Sequence, residues 1–452
     1  MSILPRFSPV ALLVTMVSVF GSPGARGLIF FDTADPAHNR EIAPGGVWVG
    51  SGWDFQGYFK NVLGTMISPR HFLSVEHVGF GPGDTTFVHK SFFAGAASDR
   101  TYFLNPNANA GAGSWIIPGT DLRVFEVYGD FPAHAELYTK SNESGKQTVM
   151  MGRGRQRGAA VTLASETRGW LWGSNDQRAR WGVNVVDSIE PSSSAADLLV
   201  TDFDEAPGTE ECQAASGDSG GALFIKDGAT WKLAGVIYAV DGKYDTNTTC
   251  EDSSDFNAAM FDALGFFIGS DNAACDQWEP VTVGDDTDES RAYASRVSAS
   301  ASAIQAIIQA ALDDAIKTPL QRYDDWMTGY ALGAETLPGE DADHDLQPNV
   351  IEYLAALDPG ADDHPEGAFQ VEEAAGKIRF TIRLRLDADA RGLSWEIQQT
   401  DDLVARNYLA VTGLAQVGLT RSLAEGTESI AFEGDQPAGP RMYYRLEVTL
   451  AP

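Results

Sequence analysis

Apolar residues in this chain recur mainly in short runs and in alternation, a pattern that predicts a protein built mainly from β-strands. Residues 64–67 and 72–75 read as two strands joined by a Ser68-Pro69 turn, with His77 at the polar-to-apolar junction that follows. Residues 122–127 alternate in part behind a leading Asp121, and 222–225 with 233–240 read as strand, turn and strand. Ile378, Phe380, Ile382, Leu384 and Leu386 alternate strictly, as in a strand with one buried face. Further strands are expected at 393–398, 408–411, 428–432 and 443–448, joined by Gly, Asp and Pro turns, which together predict a small β-sandwich. A helix is expected at about 303–316, after which the composition turns acidic and Pro-rich, and Glu352 is expected on a further helix.

Length and charge narrow the picture. A chain of 452 residues is too long for one compact domain, and an apolar share of 43% excludes wholesale disorder. The formal net charge of -31 argues against a nucleic-acid partner and for solubility. Arg6, the apolar run at 10–20 and the small residues from Gly21 to Ala25 have the layout of a secretory signal peptide, expected to be removed within 1–26. No other segment is long and apolar enough to span a bilayer, so no transmembrane segment is expected after its removal.

The stretch Ser216-Gly217-Asp218-Ser219-Gly220-Gly221 carries the candidate chemistry. It sets a serine hydroxyl among glycines, which can take positive φ and present bare N–H groups to a ligand. A nucleophilic serine needs such donors for the oxyanion that forms on attack, and the N–H groups of Gly217 and Ser219 are the candidates. A Gly-Ser turn between two strands would have the same composition.

Three stretches, "GTMISPRHFLSVEHV", "DLRVFEV" and "SGDSGGALF", in the order His, Asp, Ser, resemble the trypsin/chymotrypsin family of serine peptidases. The resemblance extends over roughly residues 40–315 and includes the 233–238 strand and the 291–298 stretch with the helix behind it. It implies a double six-stranded β-barrel with a C-terminal helix, and an endopeptidase that hydrolyses peptide bonds through an acyl-enzyme without a cofactor. Ser219 would then be the nucleophile, His77 the general base and acid, and Asp121 the group that orients His77. His71 rivals His77, and Asp99 and Asp130 rival Asp121; none stands in an equally suitable run. The Gly-x-Ser-x-Gly pattern of 217–221 also fits an α/β-hydrolase, but that fold needs a helix after the serine and triad partners later in the chain.

The family's pocket would be walled by the strand bearing Tyr238, with Gln213 near its base; a short insertion would bring Glu210 or Glu211 there instead. Among the three cysteines, Cys212 with Cys250 is the expected bridge, and Cys250 with Cys275 the alternative. Residues 241–278 read as an insertion. Peptidases of this family often mature to a new apolar N-terminus whose amine pairs with the aspartate before the serine. Here Leu28-Ile29-Phe30 and Pro44-Gly45-Gly46-Val47 are weak counterparts of that start.

Asp341, Asp343, Asp345, Gln347, Asn349 and Glu352 fall at positions 1, 3, 5, 7, 9 and 12 of a calcium loop, with Leu346 where glycine is preferred. The segment resembles the dockerin-like loops of exported bacterial proteins, which implies structural calcium. The expected order is therefore signal peptide 1–26, peptidase domain 27–318, acidic linker with a calcium loop 319–366, and β-sandwich 367–452. The function expected is that of an exported bacterial serine endopeptidase, periplasmic, surface-held or secreted, a monomer acting on protein or peptide substrates. The alternative is a catalytically silent binding or adhesion protein on the same scaffold.

Overall fold

The computed structural model describes residues 27–451 apart from 82, 175, 193–195, 206–207, 209, 250–253, 270–277, 284–287, 331, 363–366, 375, 423–424 and 437–441. The expected signal peptide lies outside the described residues. The chain is mainly β, arranged in several antiparallel sheets.

The first large sheet has seven strands in the order Arg100–Phe103, Thr86–His89, Gln56–Phe59, Val62–Met66, His71–Val75, Leu122–Glu126, Ser114–Ile116. Its strands alternate between two apolar faces. Phe59, Val62, Phe72, Phe87 and Phe125 pack together on one side, where the Phe72 ring lies 4.4 Å from Phe87 and 4.8 Å from Phe125. Leu73, Val75, Leu122 and Val124 face the other way.

The second sheet has eight strands. Arg180–Val185, Gln147–Gly152, Ala222–Asp227, Thr230–Val240, Arg291–Arg296, Ala196–Asp202 and Ser188–Ser192 run antiparallel, and Glu136–Leu137 joins Thr230–Val240 in parallel. Period two again divides its side chains: Met150, Leu223 and Ile225 enter a core of the sheet's own, whereas Val149, Met151, Ala222 and Phe224 meet the outward face of the first sheet. This shared apolar layer joins the two sheets. The helix Val297–Ala315 closes it with Val297 and Ile304, beginning about a turn and a half before the expected start because the final strand runs straight into it.

Residues of the expected insertion supply three strands of a further six-stranded sheet. Phe256–Met260 pairs with Glu166–Trp172, itself in a hairpin with Arg157–Leu163.

The expected acidic linker is not a linker. Helices Pro319–Thr328 and Asn349–Ala355 bury Tyr323, Met327, Tyr353 and Leu354 against Ile378, Phe380, Ile382, Leu393 and Leu446 in one core. Both helices carry apolar faces that water would otherwise solvate, so the sheets and helices form one unit. Its strands make a four-stranded sheet (Phe369–Ala374, Lys377–Arg385, Thr427–Asp435, Ala415–Ser422) and a three-stranded one (Leu409–Ala410, Leu393–Thr400, Tyr443–Leu450).

Candidate active site

His77 and Asp121 are brought together by strand register. His71–Val75 and Leu122–Glu126 pair so that Val75 faces Leu122. One residue further on, the Glu76 N–H donates to the Asp121 carbonyl at 2.7 Å, and the chain turns at Glu76–Gly79. The Asp121 carboxylate is therefore held at the start of that turn. Its Oδ1 accepts the backbone N–H of His77 at 2.9 Å, and its Oδ2 lies 2.7 Å from His77 Nδ1. The Asp121 side chain is 6% exposed, whereas that of His77 is 30% exposed, so part of the imidazole is open to solvent.

Ser219 arrives from the second sheet. His77 Nε2 lies 2.8 Å from Ser219 Oγ, which completes a hydrogen-bonded line from carboxylate to imidazole to hydroxyl across the two sheets. That approach requires glycine at 220. Its φ is +75°, and a Cβ there would lie 2.3 Å from the Leu63 carbonyl and 2.7 Å from Ser74 Oγ, on the strands of the first sheet. Gly220 N–H donates to the Ile237 carbonyl and Ile237 N–H to that of Gly221, tying the loop to Thr230–Val240. Gly217 takes φ +98°, and among the described residues the N–H groups of Gly217 and Ser219 have no acceptor. Both donors expected for an oxyanion are thus uncommitted. The segment after Ser219 is the strand Ala222–Asp227, not the helix of an α/β-hydrolase elbow.

The rivals stand elsewhere. His71 opens its strand rather than lying in the preceding turn; it is 1% exposed and its Nδ1 meets Ser68 Oγ at 2.7 Å. Burial first, then Arg70, hold its imidazole down to about 4, so it is neutral at physiological pH. Asp130 pairs with Arg70 and Asp99 with Lys90.

The Tyr238 and His77 rings meet edge to face, 5.9 Å between centroids. Gln213 is fully buried on Cys212–Gln213, which pairs with Ile29–Phe30. Cys212 is a free, fully buried thiol, which corrects the expected Cys212–Cys250 bridge. Its side chain turns into the apolar core of the second sheet, where its Sγ occupies the space beside Gly182, and burial pushes the thiol up. Cys250 and Cys275 lie outside the described residues.

A set of acids that gather beside the second sheet from distant segments escaped sequence reasoning. Asn184 Nδ2 donates to Glu211 Oε1 at 3.0 Å and to the Asp202 carbonyl at 2.8 Å, and the Asp202 N–H donates to Asp187 Oδ2 at 2.9 Å. Burial, then neighbouring carboxylates, push Asp202 and Glu289 up to about 7 and Glu211 up to about 9. The folded chain thus keeps protons that the unfolded chain releases near pH 4. Their contribution is complete below that range and is lost as pH rises through 7 toward 9. The melting temperature is expected to fall between pH 6 and pH 8.5, and Glu211→Gln to flatten the fall; a rise over that interval would contradict this reading.

In the C-terminal unit, carboxylate oxygens of Asp341, Asp343 and Asp345 lie within 4.8 Å of one another. Leu346 takes φ +77° and is 81% exposed, so the chain makes the left-handed turn that glycine would favour. Glu352 is fully buried on the helix Asn349–Ala355. The expected role of Asn349 needs correction. Its Nδ2 donates to the carbonyls of Glu335 and Leu337 and its Oδ1 accepts from Ala342, so its side chain staples the loop. The Gln347 side chain bridges Asp345 Oδ2 and the Ala368 N–H.

Among the described residues no helix is long and apolar enough to cross a membrane. The chain matches no protein-family model, and no curated protein is significantly similar to it.

Proposed function

We propose that this chain is an exported bacterial serine endopeptidase of the trypsin/chymotrypsin type, its two large sheets being the two barrels of that fold. The observation that carries the reading is the unbroken line Asp121–His77–Ser219, with both hydrogen bonds at 2.7–2.8 Å. In this reading His77 Nε2 takes the Ser219 proton as Oγ attacks the peptide carbonyl. Asp121 keeps the imidazole proton on Nδ1 and stabilises the imidazolium that forms. The N–H groups of Gly217 and Ser219 receive the oxyanion, and His77 returns the proton to the leaving amine. Water then repeats the sequence on the acyl-enzyme. The edge of Tyr238 beside His77 narrows the approach to the hydroxyl, and substrates are proteins or peptides.

Fluorophosphonate labelling of the chain from Gly27 onward, beside casein zymography, tests the proposal. Labelling of the wild type and its loss in His77→Ala are expected. A folded wild type that neither labels nor clears casein would favour the silent binding scaffold.

Calcium is proposed as a structural ion of the C-terminal unit. The residues fit a hard cation: Asp341 Oδ1 and Asp343 Oδ2 are buried with no hydrogen-bond donor among the described residues, and burial with the neighbouring carboxylates pushes Asp343 up. Asp341, Asp343, Asp345 and Glu352 would hold the ion. At a hundredfold excess over its Kd, calcium would stabilise this unit by about 2.7 kcal/mol, roughly a 10 °C rise in its melting temperature. Identical melting curves in calcium and in EDTA would dismiss the ion.

A further inference from the structure

The strand that follows the serine loop, Ala222–Asp227, leads away from it to a cavity of about 260 Å³. Strand pairing builds the floor of that cavity. Lys226 stands opposite Trp231 of Thr230–Val240, and Ile225 precedes it. Lys146 and Gln147 line the cavity from the neighbouring strand, which pairs Thr148 with Ile225. The short turn Gly46–Trp48 supplies Val47 and Trp48. At a rise of about 3.3 Å per residue, Lys226 lies roughly 13 Å beyond Ala222 along the strand, so the cavity is separate from Ser219.

Two kinds of surface meet there. Val47, Trp48 and Ile225 are apolar, and the Trp48 and Trp231 rings lie 6.0 Å apart. The polar side chains include two lysines and no carboxylate. Trp231 is 6% exposed, and its indole N–H is buried with no acceptor among the described residues. An indole can only donate, and a buried donor left without a partner destabilises the fold. Lys226 Nζ lies 5.6 Å from the centre of the Trp231 ring. Of the nine lysines in the chain, seven form ion pairs with carboxylates. The other two, Lys146 and Lys226, pair with no carboxylate among the described residues, and both line this cavity. Asp227, next to Lys226 in the chain, is taken by Lys140 and Lys232. In a chain of net charge -31, two unpaired ammonium groups beside an unpartnered N–H are a place for an anion from outside.

We infer that this cavity binds a carboxylate joined to an apolar group. The carboxylate meets Lys146, Lys226 and the Trp231 N–H, and the apolar group lies on Val47, Trp48 and Ile225. The volume equals that of about nine liquid waters, which suits a group the size of one amino-acid residue. A free acid and the C-terminal residue of a peptide both offer that chemistry. The site makes no use of Ser219, so it stands independently of the peptidase reading.

The test is isothermal titration of the full chain carrying Ser219→Ala, so that no probe can be cleaved. N-acetyl-leucine is expected to bind with a Kd on the order of 1 mM, at the ligand efficiency of small molecules. N-acetyl-leucinamide has the same shape without the charge and should bind at least about tenfold more weakly. Lys146→Gln and Lys226→Gln should each weaken binding of the acid about tenfold, the scale of one charge-assisted hydrogen bond. Lys146 is half-buried and Lys226 exposed, so both variants should fold, with melting curves as the check. Gly-Gly-Gly-Leu separates the two sources: binding equal to that of N-acetyl-leucine assigns the site to peptide C-termini, and no binding assigns it to free acids. Either result upholds the inference. An acid that binds no better than its amide, or equally well to both lysine variants, would overturn it. So would the absence of binding at concentrations about tenfold above that Kd. Overturning it would leave the line Asp121–His77–Ser219 untouched.

Discussion

Ser219→Ala is expected to lower peptide hydrolysis roughly a millionfold, the scale at which a triad fails when its nucleophile is removed. The Oγ that the alanine lacks is the atom 2.8 Å from His77 Nε2, and no other described hydroxyl is hydrogen-bonded to that nitrogen. The variant should fold normally, because Ser219 is only half-buried and its loop is held by backbone bonds of Asp218, Gly220 and Gly221. His77→Ala should cost about as much, and the double variant little more than either alone, since a base without a nucleophile has no proton to take. The measurement is turnover on a peptide library with melting curves alongside. Cleavage by Ser219→Ala at anything near the wild-type rate would dismiss the triad.

Asp121→Asn is expected to cost about 10⁴-fold, roughly 5.4 kcal/mol of barrier, while leaving the geometry in place. Asp121 makes two bonds to one residue: Oδ1 takes the His77 backbone N–H and Oδ2 faces His77 Nδ1. An asparagine can keep the first with its carbonyl oxygen, so the turn stays put. Its amide then donates toward Nδ1, which forces the imidazole proton onto Nε2, the atom that must be free to take the serine proton. The substitution therefore separates tautomer control from simple support. Turnover within tenfold of wild type would mean that Asp121 only braces the turn.

Local pattern carried a large share of this description because the relevant physics is local. The alternation from Ile378 to Leu384 reports a strand with one buried face, and the structure buries all four of Ile378, Phe380, Ile382 and Leu384. The alternation stops at Arg385, where the chain ends its strand to pair with Asp387. Likewise the glycines around Ser219 announce a backbone that needs positive φ, which Gly217 and Gly220 adopt. The helix at 319–328 was hidden by composition: acidic, Pro-rich surroundings look like a linker, and only the partner sheets show where Tyr323, Tyr353 and Leu354 go. Cys212 misled for the same reason, since a cysteine's spacing does not tell whether its side chain faces a partner or a core.

The sequence by itself determined the residue types, their order and the backbone freedom at the serine loop, because propensity, period and turn chemistry act over a few neighbours. It also marked His77, Asp121 and Ser219 as candidates. Only the tertiary structure decided that these three meet. The Val75–Leu122 register places Asp121 at the His77 turn, and Gly220 allows the second sheet to approach Leu63 and Ser74 of the first. It alone also placed Asp218 between Gly152, Gly154 and Leu28, and gathered Asp202, Glu211 and Glu289 into one set, with Glu211 buried and the other two half-buried. Those relations join residues tens of positions apart, and their energies come from burial and packing that no short window of sequence contains.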